Sequence, residues 1–503
     1  MAAHDAGEHQ LGVGARLAEP PSAALVSSFG AELEFAHVLY EGLGYADLAH
    51  TVMLMEAGLI PQPAGVRLLH ELVALHDLGI GGIALEAKWG DIYNNRDAEL
   101  QRRLGDGAGW LHVGRARREA LNLGWLLHVR NACHRLLGVA LAFVETLTRL
   151  AEQHTETVMP DFTYLQHAQP TTLGHFVLGF AYPVVRDVER LLREVVFFNR
   201  SPAGSASTNG SRLPLNRDRI RALLGFDDIV VHCRDAMWEP DLPINLMGVL
   251  VSLVTTADRL TEELQLWSTA EFGFMELADR HCRTSVIMPQ KKNPYALAFI
   301  RGKARETDGQ LVSVITTNQT PSGQLDNRNA SYELVPRALA TTTGIMRLLA
   351  EVVEAARFDR SRMRTQAETG CTWGTDLVDM LMQREHIDSR TAHEIVGSVV
   401  AHWADAGTSG LVADLDRAFR ARVGHEPTAN LDEIAAELVP DRIVQDRCGV
   451  GSCAPASVRA MANDLRDWSA RINDELELAR ARSNFPSLLR HTVAQHLGGE
   501  DGE

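Results

Sequence analysis

The sequence predicts an all-α protein built around a bundle of long helices. Apolar residues recur at helical spacing in two long runs, residues 136–150 and 246–264. Three further runs cover roughly residues 176–198, 294–315 and 332–358, whereas convincing period-two strands are nearly absent. Stretches of about 25 residues exceed the usual length of a globular helix. We therefore expect the apolar faces of these helices to be covered partly by other subunits.

Composition favours a small-molecule partner and an intracellular location. The 503 residues include 49 Lys and Arg against 65 Asp and Glu, a formal net charge of −16, which argues against nucleic acid as the main partner. No signal peptide and no uninterrupted membrane span is visible. The six cysteines are scattered without metal-binding spacing, as expected of reduced thiols. The sequence predicts a cytoplasmic protein without membrane contacts.

The segment Thr284–Ala304, which reads TSVIMPQKKNPYALAFIRGKA, carries the clearest chemical pattern. A hydroxyl residue, two lysines and an asparagine precede a helix that we expect to begin near Pro294, because proline suits a first helical turn. Lys291, Lys292 and Asn293 have the composition of a clamp for a carboxylate or phosphate. A solvated loop is the alternative, because short basic pairs are common.

The run SVIMPQKKNP closely resembles the GSSxMPQKKNP signature of the argininosuccinate lyase branch of the aspartase and fumarase superfamily. TYLQHAQPTTLGH, residues 163–175, is similar to the THLQ-x-AQP segment of that family, and LHVGRARREA, residues 111–120, resembles its HTGRSRNDQ segment. RDAM with WEPDL, residues 234–242, resembles its DA-x-SDRDF stretch. The resemblance extends over roughly residues 29–465.

This resemblance implies an architecture and an assembly. It implies a flexible N-terminal tail (1–21), an N-terminal helical domain (22–118), a central helix-bundle domain (119–370) and a small C-terminal helical domain (371–503). The central domains are expected to assemble into the twenty-helix core of a homotetramer, with each active site drawing residues from three subunits. The implied reaction is an anti elimination from a succinyl unit that needs neither a metal nor an organic cofactor.

The resemblance also assigns roles to single residues. Ser285 falls on the catalytic serine that abstracts a proton from carbon. Lys291, Asn293 and Thr163 match residues that hold a carboxylate of the succinyl group, and we assign Gln169 to the same binding role. A cation and hydrogen-bond donors are what a carbanion with an aci-carboxylate requires.

Two departures from the family pattern concern the acid that protonates the leaving group. Tyr164 stands where the family has the histidine of THLQ, and Ala298 stands where it has the glutamate that supports this histidine. A paired loss indicates that the acid role has been reassigned or is not required. Tyr164 is our first candidate for this acid, although an ordinary phenol is a weak acid at neutral pH. His167 and water are the alternatives.

Two further segments differ from the family pattern around the substrate. Arg117 keeps a family arginine, but Arg118 replaces an asparagine and is able to hold a carboxylate or nitro group with two hydrogen bonds. The alternative for Arg118 is a salt bridge to Glu119 or Asp97. The family segment EDIH reads GDIY here, so that Tyr93 replaces another histidine.

The residues that contact the arginine end of argininosuccinate in the family are not recognisable in PSGQLDNRNA, residues 321–330. A buried site that loses its polar partners discriminates strongly against the old substrate, so we disfavour argininosuccinate. The sequence favours a lyase that releases fumarate from another N-substituted aspartate or a related succinate, of a kind suited to secondary metabolism. Three alternatives stay open: a nitrosuccinate-type lyase that releases nitrite, a catalytically inactive structural relative, and a true argininosuccinate lyase.

Overall fold

The computed structural model describes residues 21–237, 240–320, 328–406 and 410–498, most of them in α-helices that we number in chain order. The first helices are α1 (Ala23–Leu33), α2 (Ala36–Glu56), α3 (Gln62–Leu78) and α4 (Ile92–Leu104). The middle of the chain forms α5 (Arg117–Gln153), α6 (Leu173–Phe198), α7 (Arg217–Leu223), α8 (Cys233–Ala236), α9 (Asp241–Trp267), α10 (Tyr295–Thr317) and α11 (Arg328–Ala355). The last helices are α12 (Arg360–Thr369), α13 (Gly374–Glu385), α14 (Ser389–Ala406), α15 (Leu411–Val423), α16 (Leu431–Glu437), α17 (Pro440–Asp446), α18 (Pro455–Arg482) and α19 (Pro486–His496).

The strands are short and form isolated pairs. Antiparallel pairs join β1 (Val158–Thr163) to β2 (Gln166–Thr172), β5 (Met275–Glu276) to β8 (Arg357–Phe358) and β6 (Arg283–Thr284) to β7 (Lys292–Asn293). A parallel pair joins β3 (Arg200–Ser201) to β4 (Asp228–Ile229). Short 3-10 helices cover Ile80–Gly82, Ala87–Trp89, Gly105–His112 and Asp279–His281. No sheet in the described residues has more than two strands, and the all-α prediction is confirmed.

Five long helices form the central bundle, as the apolar runs predict. Helix α5 packs against α6 and α11, and α10 packs against α9 and α11. With 37 residues, α5 is about 55 Å long at the usual rise per residue. Large side chains fill the space between these helices, including Trp125, Phe143, Phe198 and Trp267. Such a rigid bundle fixes the positions of the loops at its ends.

Helix α2 crosses α5 at very short range because both helices have a glycine there. A methyl group added to Gly42 would come within 2.4 Å of the carbonyl oxygen of Gly124. Any side chain at Gly42 would push the two backbones apart. This close crossing holds the helices that precede the bundle against the N-terminal half of α5.

The C-terminal part of the chain packs in two groups. Residues between Trp373 and Ile443 form an apolar core of their own, which involves α13 to α17. Apolar side chains of α18 and α19, among them Leu465, Ile472 and Leu489, instead join the main core, and α18 packs along α5. The C-terminal domain 371–503 therefore stays a prediction as a unit. The predicted boundary after residue 118 lies within the first turn of α5.

The antiparallel hairpin β1–β2 was not predicted from the sequence. Its strands contain Pro160 and Pro170, and their side chains do not alternate cleanly between apolar and polar. Helix α6 begins directly after β2, where the Thr172 hydroxyl accepts a hydrogen bond from the backbone N–H of His175 at 3.1 Å. The hairpin thus projects from the end of the bundle. No helix in the described part of the chain is long and apolar enough to span a membrane.

Candidate active site

Ser285 lies in a loop that a short two-stranded ribbon closes. Strands β6 and β7 pair in antiparallel fashion, and residues 285–291 connect them. The Ser285 hydroxyl oxygen accepts a hydrogen bond from the backbone N–H of Met288 at 3.1 Å. An N–H donor favours the anionic form of the oxygen that it contacts, and the role of Ser285 as the base stays a prediction. The adjacent Val286 and Ile287 side chains are fully and four-fifths exposed, respectively.

The two lysines of the loop have different surroundings. Lys292 forms ion pairs with Glu276 at 2.9 Å and with Asp279 at 2.7 Å, and the hydrogen bond to Asp279 is the main reason why its pKa is raised. The exposed ammonium group of Lys291 has no hydrogen-bond or ion-pair partner among the described residues. Among the described residues, Lys291 is thus the lysine of this pair without an acidic partner, and its predicted role in carboxylate binding stays a prediction.

Asn293 and Arg283 hold the two ends of the serine loop together. The Asn293 side-chain amide donates a hydrogen bond to the carbonyl oxygen of Arg283 at 3.0 Å. The Arg283 guanidinium lies over the ring of Tyr295, with 3.5 Å between its central carbon and the ring centroid. These contacts attach the ribbon to the first turn of α10. Asn293 keeps its side-chain oxygen for other contacts.

Thr163 and Tyr164 lie at the end of the β1–β2 hairpin. Thr163 pairs with Gln166, and the two residues between them, Tyr164 and Leu165, have φ angles of 54° and 60°. Two consecutive positive φ values define a type I′ turn, which asparagine and glycine normally occupy. The Tyr164 side chain is 99% exposed. A strained turn that presents a fully exposed aromatic side chain is typical of a contact point for another molecule.

His167 faces away from Thr163. It pairs with Phe162 across the hairpin, and their rings lie 5.3 Å apart. Because neighbouring residues of a strand point to opposite faces, Phe162 and His167 share one face while Thr163 and Gln166 share the other. Burial lowers the pKa of His167. A methyl group added to Gly370 would lie 2.0 Å from the His167 ring, which shows how closely this face is packed.

Gln169 points toward the C-terminal helices. Its side-chain oxygen accepts a hydrogen bond from Arg447 at 3.3 Å. Arg447 in turn binds both carboxylate oxygens of Asp376, at 2.8 and 3.0 Å. Gln169 therefore links β2 to α13 and to the residue after α17. Its proposed substrate contact stays a prediction.

Arg117 and Arg118 occupy the first turn of α5, where free backbone N–H groups favour a negative charge. Arg117 forms an ion pair with Asp91 at 3.2 Å, and its side chain is about one-third exposed. Arg118 is partly buried. The Glu119 carboxylate accepts hydrogen bonds from the backbone N–H groups of Gly204 and Ala206, at 2.6 and 2.7 Å. Burial raises the pKa of Glu119, and these two donors oppose the shift.

A buried polar cluster lies behind these arginines. The Asp47 carboxylate contacts Arg96 at 2.9 Å and Arg115 at 2.7 Å, and all three side chains are almost completely buried. Burial opposes the charge on Asp47, but the two guanidinium groups outweigh it and lower the pKa of this carboxyl. Burial, with a smaller contribution from Arg115, lowers the pKa of His50 to about 3. His50 is therefore a neutral structural residue.

A second network of polar side chains lies in this region, and the sequence indicated it only in part. The Tyr93 hydroxyl lies 2.9 Å from Nδ1 of His112, and Nε2 of His112 lies 3.0 Å from a carboxylate oxygen of Asp97. The other Asp97 oxygen accepts a hydrogen bond from Gln101 at 3.0 Å. The four-residue spacing of Tyr93 and Asp97 could have indicated that both lie on one face of a helix.

The site residues form three groups in one chain. The groups are the serine loop with Ser285 and Lys291, the hairpin end with Thr163, and the first turn of α5 with Arg117. No hydrogen bond or ion pair between described residues connects one of these groups to another. Across the described ranges, no cluster of three or more histidine, cysteine, aspartate or glutamate side chains is arranged to hold a metal ion.

Comparisons with known proteins identify the family. A model of the lyase family matches residues 81–309. The argininosuccinate lyase of Methanothermobacter thermautotrophicus is 32% identical over 88% of this chain and 95% of its own length. That of Methanoculleus marisnigri is 35% identical over 89% of this chain and 91% of its own length. The chain belongs to the argininosuccinate lyase family. It is a carbon–nitrogen lyase of the aspartase and fumarase superfamily.

Solved structures agree with this membership. The argininosuccinate lyase-like chain aligns with EDDS lyase in complex with formate at a TM-score of 0.85 and 29% identity, over 95% of this chain and 97% of the other. A variant of EDDS lyase with bound fumarate aligns at the same TM-score with 28% identity, over 96% and 97% of the two chains. A class II fumarase from Schistosoma mansoni, at 14% identity and a TM-score of 0.67 over 85% and 96%, shares the fold.

Proposed function

We propose that this lyase catalyses anti elimination from an N-substituted aspartate, or a related substituted succinate, and releases fumarate. Ser285 removes a proton from the carbon next to a carboxylate, and the electron pair of the broken C–H bond forms the double bond as the C–N bond breaks. The observation that carries this proposal is the pair formed by Ser285, whose oxygen already accepts an N–H, and the unpaired Lys291 of the same loop.

The other predicted residues anchor the succinyl unit in this proposal. Lys291 and Asn293 stabilise the extra negative charge that a carboxylate acquires when the neighbouring carbon loses its proton. Thr163, Gln169, Arg117 and Arg118 hold the substrate carboxylates, and Tyr164 contacts the leaving group. A guanidinium binds a carboxylate through two parallel hydrogen bonds, which fixes its orientation.

The proposed active unit is a homotetramer with shared active sites. The serine loop, the hairpin end and the first turn of α5 make no polar contact with each other within the described part of one chain. Residues from neighbouring chains complete each site. The exposed apolar side chains of Tyr164, Val286 and Ile287 support this arrangement, because such residues are usually covered by a partner.

The first test is fumarate formation, followed by its ultraviolet absorbance, on argininosuccinate, EDDS, aspartate and nitrosuccinate. We expect an N-substituted aspartate other than argininosuccinate to give the highest kcat/KM. Ser285→Ala should abolish fumarate formation and leave the circular dichroism spectrum and the oligomeric state unchanged. Full activity of Ser285→Ala would exclude the proposed mechanism. If nitrosuccinate were the only substrate of the panel that gave products, fumarate and nitrite, the nitrite-releasing alternative would be favoured.

A further inference from the structure

Hydrogen bonds connect Tyr93, His112 and Asp97 in an arrangement that resembles a proton relay. Tyr93 and Asp97 lie one turn apart on α4, and His112 at the end of a 3-10 helix contacts both of them. The Tyr93 oxygen is 2.9 Å from Nδ1 of His112, and the Asp97 oxygen is 3.0 Å from Nε2. Both imidazole nitrogens are thus held by helix α4. A carboxylate at this position fixes the orientation of the ring.

Tyr93 lies two residues after Asp91, which contacts an arginine of the proposed substrate site. Asp91, which caps the N-terminus of α4, forms the ion pair with Arg117. The Arg115 guanidinium lies 5.7 Å from the centre of the Tyr93 ring. Tyr93 is 6% exposed, whereas the His112 side chain is 37% exposed. Tyr93, the buried end of this relay, is able to deliver a proton toward the interior. His112, the solvent-accessible end, is able to recover a proton from water.

Tyr164, the residue that the sequence suggests as the acid, has neither such hydrogen-bonded partners nor such burial within a single subunit. It is 99% exposed at the end of the hairpin, and its hydroxyl has no hydrogen bond within the described ranges. Ala298 replaces the carboxylate that would support an acid at this position. Burial raises the pKa of Tyr93, with Arg115 opposing the shift, so Tyr93 acts as an acid only with a neighbour that returns a proton as its own proton leaves.

We propose that Tyr93 is the catalytic acid for the leaving nitrogen and that His112 and Asp97 are its positioning residues. This inference rests on the proposed function. Ser285 takes the proton from carbon, and the C–N bond breaks with its electron pair moving to nitrogen. The Tyr93 hydroxyl proton passes to this nitrogen while the Nδ1 proton of His112 passes to the Tyr93 oxygen. The Asp97 carboxylate keeps its hydrogen bond with Nε2–H of His112 throughout. His112 then regains a proton from water at Nδ1.

The direction of the Tyr93 hydroxyl depends on the charge of His112. When His112 is neutral with its proton on Nε2 toward Asp97, Nδ1 is an acceptor and the Tyr93 hydroxyl points to it. When His112 is protonated, Nδ1–H donates to the Tyr93 oxygen and frees the hydroxyl for the substrate. Only the second arrangement leaves the Tyr93 hydroxyl proton available to the leaving nitrogen. The charged or titratable groups around this chain are Asp47, Arg96, Arg115, Asp91, Arg117 and the neutral His50.

The decisive experiment separates proton abstraction from departure of the leaving group. Wild type and Tyr93→Phe are incubated in D2O with EDDS, and with argininosuccinate as a second probe, while deuterium incorporation at carbon and fumarate formation are measured together. We expect Tyr93→Phe to lose about 10²-fold or more of fumarate formation and to retain deuterium exchange, because only the leaving group lacks its proton. On nitrosuccinate, whose nitrite departs unprotonated, Tyr93→Phe should match wild type.

Variants of the two positioning residues supply a second readout. His112→Asn and Asp97→Asn should each lower fumarate formation from EDDS, retain deuterium exchange and match wild type on nitrosuccinate, because both residues act only through Tyr93. Equal loss of exchange and elimination in Tyr93→Phe would overturn the inference. Exchange without elimination in Tyr164→Phe would also overturn it, in favour of Tyr164. Failure of the proposed function has a different signature, in which wild type produces neither fumarate nor exchange on any member of the panel.

Discussion

At the scale of single residues, two adjacent lysines illustrate how surroundings decide a role. Lys291 and Lys292 are neighbouring residues of the same type. Lys292 forms ion pairs with Glu276 and Asp279, whereas Lys291 has no partner among the described residues. A paired ammonium group has little attraction left for a substrate carboxylate, whereas an unpaired one beside the base keeps its full charge. We therefore assign a structural role to Lys292 and propose Lys291 as the cation that binds substrate.

This difference gives a prediction for two matched variants. Lys291→Met should lower kcat/KM for fumarate formation by about 10²-fold or more, because the carbanion loses a charged partner. Lys292→Met removes ion pairs that are exposed to solvent and therefore weak, and should reduce kcat/KM by less than about tenfold. Steady-state kinetics on the best substrate of the panel measures both. A larger loss in Lys292→Met than in Lys291→Met would reverse the two assignments.

At the scale of elements, the hairpin β1–β2 holds its end in a conformation that its residues disfavour. Tyr164 and Leu165 both adopt left-handed backbone angles, which cost a residue with a Cβ about 1–2 kcal/mol each. Leu165→Gly should therefore stabilise the protein by up to about 1 kcal/mol and raise its thermal unfolding midpoint. Gln166→Gly, at the neighbouring strand position, should lower the midpoint and serves as the control. An equal decrease in both variants would show that contacts of Leu165 outweigh the strain.

The elements also show which parts of the fold a sequence is able to predict. Apolar periodicity predicted α5, α6, α9, α10 and α11 because each buries one continuous face. The bounds of the last four agree with the apolar runs to within about five residues, whereas α5 begins at Arg117, well before its run at 136–150. The hairpin that holds Thr163 was missed because its strands are short and contain prolines. The contact of His112 with Tyr93 and Asp97 depends on how a 3-10 helix packs on α4, which no local pattern specifies.

At the scale of the whole molecule, α10 exposes apolar and small residues among charged ones such as Arg305 and Glu306. Tyr295, Phe299 and Val312 are 40%, 44% and 61% exposed, and a methyl group added to Gly302 or Gly309 would meet no atom within 4 Å. Tyr295, Phe299, Gly302 and Gly309 lie on one side of the helix, and Val312 lies near the edge of that side. A long helix that shows small and apolar residues to solvent is suited to close packing against another helix. This face supports the proposed twenty-helix core, in which the serine loop at the start of α10 would meet other chains.

Mixing of inactive variants tests whether the sites are shared between chains. Ser285→Ala and Arg117→Ala should each be inactive on their own. Their mixed tetramers should regain part of the wild-type fumarate formation. Some sites of the mixed tetramers combine an intact serine loop from one chain with an intact Arg117 from another. Ser285→Ala mixed with Lys291→Met is the control: both changes lie in the same loop, so every site of the mixed tetramers contains one of them and activity stays low. Rescue is measured after dissociation and reassembly, with the tetramer verified by light scattering. Absence of rescue in verified mixed tetramers would place Ser285 and Arg117 of each site in the same chain.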